Sequence, residues 1–408
     1  MLSETQNKPS ILYSCPLDLV QREAPAYHVV NVVKELRNLG YPIELIHQGD
    51  SRSDLQGIKQ IALGLDRHSK LGRLKSDFGY ILGLHKRLRS RRYQWVYHRL
   101  EKWSVLPLIL FRFYGLPVVL EFNSDVDAEL RSLGKGRLFR KLYSYSERLQ
   151  VRLADRIVTV SKGIEYNLVK NHAGISGKIS TIENGTDVEI FHPKDRMEAC
   201  RKLKLDPSRI YVTFAGSIQQ WQGIETIIDC APIVLNQLPK VQFLIIGDGS
   251  QAKHIESLIK SKNLDADVLM PGWQPSVQLA DYLAASDICL APYSRKAALQ
   301  DQPQTDNKAD YSNTLMKCSP LKIFTYMAMG KPVIASDFSD GGNRLAKWNT
   351  GLSHDPNDAG ELATAILKLL SNPELAKSLG NNGHERVLKF HTWKSVAEEI
   401  ERFCFIGS

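Results

Sequence analysis

The strongest chemical signal in the chain is Ser319-Pro320-Leu321-Lys322-Ile323-Phe324-Thr325-Tyr326-Met327-Ala328-Met329-Gly330-Lys331-Pro332-Val333-Ile334-Ala335. Ser319 suits an N-cap and Pro320 a first helical turn. Leu321 to Met329 then predicts one short buried helix stopped by Gly330, and Pro332 to Ala335 a buried strand. A helix start is an anion site, because its free N–H groups point outward and the dipole favours negative charge. Lys322 adds a cation in that first turn, where the dipole alone disfavours one, and a bound phosphate resolves the conflict. An ordinary capped helix explains the apolar residues. It does not explain Ser-Pro-Leu-Lys followed by Gly-Lys-Pro at this spacing.

Three further loops leave the C-terminal ends of expected strands, where open α/β sheets bind ligands. The first runs Phe214-Ala215-Gly216-Ser217-Ile218-Gln219-Gln220-Trp221-Gln222-Gly223, and Gly216 would let backbone approach a phosphate closely. The second is Gly247-Asp248-Gly249-Ser250, which by itself is an ordinary turn into a helix. The third is Pro271-Gly272-Trp273-Gln274-Pro275.

The Ser319–Ala335 stretch resembles the pattern S-P-L-K-x-F-E-Y-M-A-x-G-K-P-V-x-A of retaining glycosyltransferases of the GT4 type (glycosyl transferases group 1), whose fold is GT-B. Asn184-Gly185-Thr186-Asp187 with Phe191-His192-Pro193 resembles the segment N-G-x-D-x-x-x-F-x-P that ends the first domain in that family. The resemblance implies transfer of a hexosyl group, with retention, from a nucleoside diphosphate sugar to a glycan, lipid-linked or small-molecule acceptor. It implies a UDP-sugar in preference to a GDP-sugar, and neither metal nor cofactor. The donor would be held by Gly216, Ser217, Gln222, Gly223, Asp248, Gly249, Ser319, Pro320, Leu321, Lys322 and Thr325. Backbone at Trp273 and Gln274 would read the base, although Trp273 reads equally well as a buried aromatic. The leaving diphosphate would itself help deprotonate the acceptor.

The departures from the family pattern matter as much. The Arg and Lys that the family often carries in the first loop are here Ser217 and Gln222, so more neutralisation falls to Lys322. The Glu that holds the ribose hydroxyls is here Thr325, and a hydroxyl is a weaker partner than a carboxylate. The first Glu of that signature falls on Lys317. The first-domain His is replaced by Asn123, in Leu120-Glu121-Phe122-Asn123, and Asn123 joins Lys322 as a catalytic candidate. Ser161-Lys162 resembles the S-K at a helix start facing the cleft. His28, alone on the first helix, reads as structural. These departures leave open a GT-B binding or scaffold subunit that has lost catalysis. A GT-B sugar-nucleotide epimerase would need acidic and basic residues that do not stand out.

The elements that position these residues alternate regularly. Expected strands begin at Ile11, Ile43, Trp95, Pro117, Arg156 and Lys178, with helices at Ala26–Leu39, Asp77–Arg89, Val105–Tyr114, Phe139–Ala154 and Lys162–Lys170. The alternation restarts with strands at Tyr211–Phe214, Val241–Ile246, Val268–Met270 and Ile288–Ala291. Between these lie helices at Ile224–Leu235, Gln251–Lys262 and Val277–Ala285. Such alternation predicts parallel sheets covered on both faces. The fold class is therefore α/β, with two Rossmann-like domains (1–190 and 191–390) facing a cleft. Ala359 to Phe405 reads as helices, and by the resemblance residues 391–408 return to the first domain. Ser294 to Cys318 is polar and reads as a mobile loop near the donor site.

At 408 residues the chain suits two domains. No run reaches the roughly 18 apolar residues of a membrane span, and the N-terminus shows no signal-peptide core. Six scattered cysteines without C-x-x-C spacing predict reduced thiols of a cytoplasmic protein. The net charge of +9 is lopsided: residues 1–200 hold 31 basic and 22 acidic side chains, and the remainder is balanced. The excess concentrates around Lys86–Arg92 and Arg131–Arg152. It is either a solvated surface or an attraction to an anionic acceptor or the inner membrane face. No RNA-binding motif accompanies it, which argues against nucleic acid.

Overall fold

The computed structural model describes residues 8–19, 24–64, 70–101, 105–127, 130, 134–294, 321–337 and 341–405. Ser319, Pro320, Lys317 and the Ser294–Cys318 loop beyond Ser294 lie outside the described residues. The chain divides into two compact units. Unit 1 comprises Met1–Asn184 and Trp393–Ser408; unit 2 comprises Gly185–Met316 and Pro320–Thr392.

Unit 1 is built on seven parallel strands in the order β3-β2-β1-β4-β5-β6-β7. These are β1 (Ile11–Cys15), β2 (Ile43–His47), β3 (Lys59–Ala62), β4 (Trp95–Arg99), β5 (Val118–Phe122), β6 (Arg156–Thr159) and β7 (Ile179–Thr181). Strands β1, β2 and β5 are buried at every position, as expected of a parallel sheet covered on both sides. The helices named among the described residues of this unit are α1 (Ala24–Asn38), α2 (Lys70–Ser90), α3 (Val105–Phe113), α4 (Arg137–Leu153) and α5 (Lys162–Asn171). Leu84 and Phe111 from α2 and α3 pack with Leu12, Val96 and Val118 on one sheet face. Leu108, Val151 and Ile164 extend that layer over Leu120 and Phe122. The alternate β5 residue, Glu121, points to the other face, where it meets His28 of α1.

Unit 2 holds six parallel strands in the order β10-β9-β8-β11-β12-β13. These are β8 (Ile210–Ala215), β9 (Val241–Ile246), β10 (Val268–Gly272), β11 (Ile288–Ala291), β12 (Val333–Ser336) and β13 (Gly351–His354). Its helices are α6 (Arg196–Leu203), α7 (Ile224–Gln237), α8 (Ala252–Ser261), α9 (Ser276–Ala285), α10 (Leu321–Ala328), α11 (Gly342–Trp348), α12 (Ala359–Leu370) and α13 (Pro373–Phe390). The direction of strand addition reverses between β8 and β11, which makes their C-terminal ends the switch point of the sheet. The last helix, α14 (Trp393–Ile400), belongs to unit 1 and packs on α1.

The order of elements follows the alternation in the sequence, with strand cores displaced by one or two residues. Short β3 and β13 escape sequence reading because each carries few buried residues. Among the described residues, no helix is long and apolar enough to cross a membrane. The five described cysteines are free and buried.

Candidate functional site

The described residues singled out for donor binding lie in unit 2, around the ends of β8, β9 and β10. Three loops are laced together there by backbone hydrogen bonds. Gly216 N–H donates to Ile246 O (2.9 Å), Ile218 N–H to Asp248 O (2.9 Å), and Gly247 N–H to Gly272 O (3.0 Å). Ser250 Oγ donates to Gln219 Oε1 at 2.6 Å, tying the second loop to the first. Two glycines are obligatory for this closeness. Gly223 sits at φ +68°, and a Cβ there would lie 1.6 Å from Pro292 O. A Cβ on Gly247, at φ +140°, would lie 1.9 Å from Gly216 O. No L side chain fits either position.

Helix α10 delivers Lys322 to the first of these loops. Its inner face is Ile323, Phe324, Tyr326, Met327 and Ala328, all buried, and Gly330 at φ +68° ends it. The Tyr326 hydroxyl donates to Ala215 O at 2.9 Å and accepts from Ala215 N–H at 2.7 Å. That pair fixes the second turn of α10 against the end of β8. Burial holds the Tyr326 phenol well above its usual range, so the hydroxyl stays protonated for this double role. Lys322 Nζ stands 4.1 Å from the Phe214 ring centroid and 5.3 Å from that of Tyr293. It donates to Gln222 Oε1 and would lie 3.0 Å from a Cβ on Gly216. The ammonium is thus seated over aromatic faces beside the backbone of the glycine loop, where an anion would meet both.

Ser217 is exposed and Gln222 is buried. Gln222 Nε2 approaches Ser217 Oγ at 3.5 Å, so these two replacements face each other beside Lys322. Gly249 N–H bonds to Asp248 Oδ1 at 2.7 Å, and Asp248 is exposed. Trp273 is 51 % exposed, so it is no core aromatic. Gln274 Nε2 donates to Pro271 O at 2.8 Å. Thr325 Oγ1 bonds within unit 2, to Leu321 O at 3.1 Å and Thr186 Oγ1 at 3.2 Å. Leu321 is the first described residue of α10.

The structure adds residues that the sequence did not mark. Trp221 stacks on Tyr293 with centroids 6.1 Å apart and planes 4° from parallel, which joins the loops after β8 and β11 at the switch point. Tyr326 and Phe214 are the others. Both lie inside motifs noted in the sequence, but their roles depend on contacts more than a hundred residues apart.

In unit 1, Asn123 donates an amide N–H to Glu121 Oε1. Glu121, 1 % exposed, also accepts from Tyr97 Oη at 2.6 Å and Arg99 Nη1 at 3.3 Å. His28 Nε2 lies 2.9 Å from its Oε1, and His28 Nδ1 lies 2.6 Å from Asn184 Oδ1. Burial alone would raise the Glu121 carboxyl. His28, Arg99 and Asn123 outweigh it and hold the group at about 2. Asn123 and His28 are therefore both part of the network around the buried Glu121 carboxylate. Ser161 caps α5, accepting from Ile164 N–H, and Lys162 pairs with Glu165 at 2.8 Å. Among the described residues, no cluster of His, Cys, Asp and Glu could hold a metal ion.

Two family descriptions match the chain almost end to end: Glycosyltransferase Family 4 over residues 26–190 and Glycosyl transferases group 1 over residues 195–386. The D-inositol 3-phosphate glycosyltransferase 2 of Catenulispora acidiphila is 23 % identical over 256 residues, 60 % of this chain and 55 % of that protein. The chain thus spans little more than half the length of that relative. The fold of sucrose-phosphate synthase from Thermosynechococcus elongatus matches with a TM-score of 0.73 at 19 % identity, covering 96 % of this chain and 98 % of that one. Anabaena Alr3699/HepE, solved in complex with UDP, matches at 0.70 and 16 % identity, with 96 % and 98 % covered. The fold is GT-B, and the chain belongs to the group 1, family 4 glycosyltransferases.

Proposed function

We propose that the chain transfers a hexosyl group from a nucleoside diphosphate sugar, UDP-linked in preference to GDP-linked, to an acceptor held by unit 1. The observation that carries this reading is Lys322 Nζ seated over Phe214 beside Gly216, at the switch point of the unit 2 sheet. The family membership supports the reaction class, and UDP in the HepE complex supports the choice of base. In this reading the bond between the anomeric carbon and the diphosphate oxygen breaks, and negative charge grows on the leaving phosphate. Lys322 and the amides of the Gly216 loop and of the α10 start stabilise that charge. The acceptor oxygen bonds to the anomeric carbon with retention and gives its proton to a leaving phosphate oxygen, with no metal taking part. Trp273 and Gln274 flank the base. The five described cysteines, buried and free, fit a reducing, cytoplasmic setting.

A second reading, a binding subunit without catalysis, draws on two contacts. Gln222 occupies the place of a cation, and the Thr325 hydroxyl is engaged by Leu321 and Thr186. Calorimetric titration with UDP and with GDP, followed by a donor-sugar panel with NMR of the product anomer, separates the readings. Heat with UDP and a turned-over donor supports transfer. Heat without turnover supports the binding subunit, and no heat with either nucleotide overturns both.

A further inference from the structure

The donor site leaves one conspicuous surface of unit 1 unexplained. Helices α2, α3 and α4 lie side by side on one sheet face and bury Leu84, Phe111, Leu108 and Val151 inward. Their outward positions are apolar as well. On α4, Leu138, Leu142, Tyr145 and Leu149 are 74 %, 54 %, 56 % and 41 % exposed. Their spacing of four, three and four residues sets them in a single row along the helix. On α3, Leu106, Ile109 and Phe113 make a second exposed row, and Phe78 and Leu82 extend the surface onto α2. A helix on the outside of a globular protein ordinarily turns polar residues to water there.

Charge accompanies this face. Helix α4 carries Arg137, Arg140, Lys141, Arg148 and Arg152 against a single acid, Glu147. Glu147 pairs with His172, and Arg140 with Asp127, both inward of the apolar row. Lys141, Arg148 and Arg152 are exposed, and helical spacing puts them along one flank of that row. Beside them opens a cavity of about 460 Å³ whose lining includes Arg137, Lys141, Ser144 and Arg148.

We propose that this face seats the protein on an anionic lipid bilayer. The α3 and α4 rows enter the boundary between headgroups and acyl chains, and Arg137, Lys141, Arg148 and Arg152 meet lipid phosphates. Apolar and aromatic residues in line, with cations along their flank, are the pattern of a helix lying in a membrane interface. Charge complementarity selects the occupant. A second copy docking by this face would set the cationic flank of α4 against itself. A bilayer of anionic lipids instead offers a broad, adaptable, negative surface to several helix rows at once. The proposal does not depend on the donor reading, and its test leaves the donor site untouched.

The test is flotation of the full chain with phosphatidylcholine vesicles, with and without roughly one third phosphatidylglycerol, at low and at physiological salt. Three double variants are compared with the wild type, each checked by thermal melting. K141E/R148E removes the flanking charge. L138S/L142S removes the apolar row. K253E/K260E makes an equal charge change on exposed lysines of α8 in unit 2. Binding to the anionic vesicles should weaken about thirtyfold or more in K141E/R148E, on the order of tenfold in L138S/L142S, and hardly at all in the control. Any of four results overturns the proposal: no flotation of the wild type, equal binding to neutral vesicles, equal loss in the control, or full binding by L138S/L142S. So does light scattering that shows a wild-type dimer made monomeric by L138S/L142S, which would assign the face to a second copy.

Discussion

Lys322 Nζ lies 4.1 Å from the centroid of the Phe214 ring, so the first turn of α10 and the C-terminal end of β8 meet through a cation on an aromatic face. The contact explains how a lysine persists at a helix start whose dipole opposes it. The ring offers its negative face below, and Gln222 Oε1 accepts from the same ammonium. A phosphate arriving beside Gly216 would complete the shell.

Lys322→Met keeps much of the aliphatic packing on Phe214 and removes the charge. Hydrogen bonds to charged groups are worth about 1.5–3 kcal/mol, so UDP affinity should fall roughly tenfold to a hundredfold while the melting temperature of the free protein barely moves. Titration calorimetry on both proteins checks this. Unchanged affinity would place the diphosphate elsewhere.

Gln222→Lys gives the inverse experiment. Gln222 is 2 % exposed and touches Lys322, so a lysine there buries a second ammonium beside the first. Like charges at such range repel by several kcal/mol at protein-like dielectric, and the free variant should melt lower than the wild type. Diphosphate binding would relieve the repulsion, so UDP should raise the melting temperature of the variant by more than it raises that of the wild type. Equal shifts in the two proteins would separate Gln222 from the nucleotide.

Tyr326→Phe tests the link between helix and strand. The ring stays packed, but Ala215 loses both partners of its buried N–H and C=O. An unsatisfied buried group costs about 1–3 kcal/mol. Urea unfolding should register that loss, and UDP affinity should fall with it, because α10 is no longer held in register with the Gly216 loop. A stability loss with unchanged affinity would reduce Tyr326 to packing alone.

The sequence disclosed α10 and its neighbours because local rules govern them: a lysine near a helix start, a buried face at helical spacing, and Gly330 as stop. Loops at Gly216 and Gly247 were legible for the same reason, since only glycine tolerates their conformations. What stayed hidden was pairing across distance. Gln222 looked like a lost cation, and only the fold shows it accepting from Lys322, one hundred residues away. Asn123 reads in the sequence as a catalytic candidate, and only the fold shows it sharing Glu121 with His28, 93 residues earlier than that acid. The outward apolar rows of α3 and α4 were also missed. Periodicity reports that a helix has apolar faces but not which of them the sheet covers.

The Glu121 network sets an acid limit on unit 1. Its carboxyl is held at about 2 in the folded chain, against an ordinary 4.5. A depressed acid stabilises the fold at every pH above its unfolded value, and that contribution fades as pH falls from about 4.5 to about 2. At roughly 1.4 kcal/mol per unit, the contribution is about 3 kcal/mol. Wild-type urea midpoints should therefore drop steeply across that window. Glu121→Gln removes the titrating group and leaves Arg99 buried without its carboxylate partner. The variant should lose about 3–5 kcal/mol at neutral pH, as when one side of a buried ion pair is deleted. Its midpoint should then change much less between pH 4.5 and pH 2. Midpoints measured every half unit for both proteins decide the matter: parallel curves would mean that Glu121 does not carry the acid sensitivity.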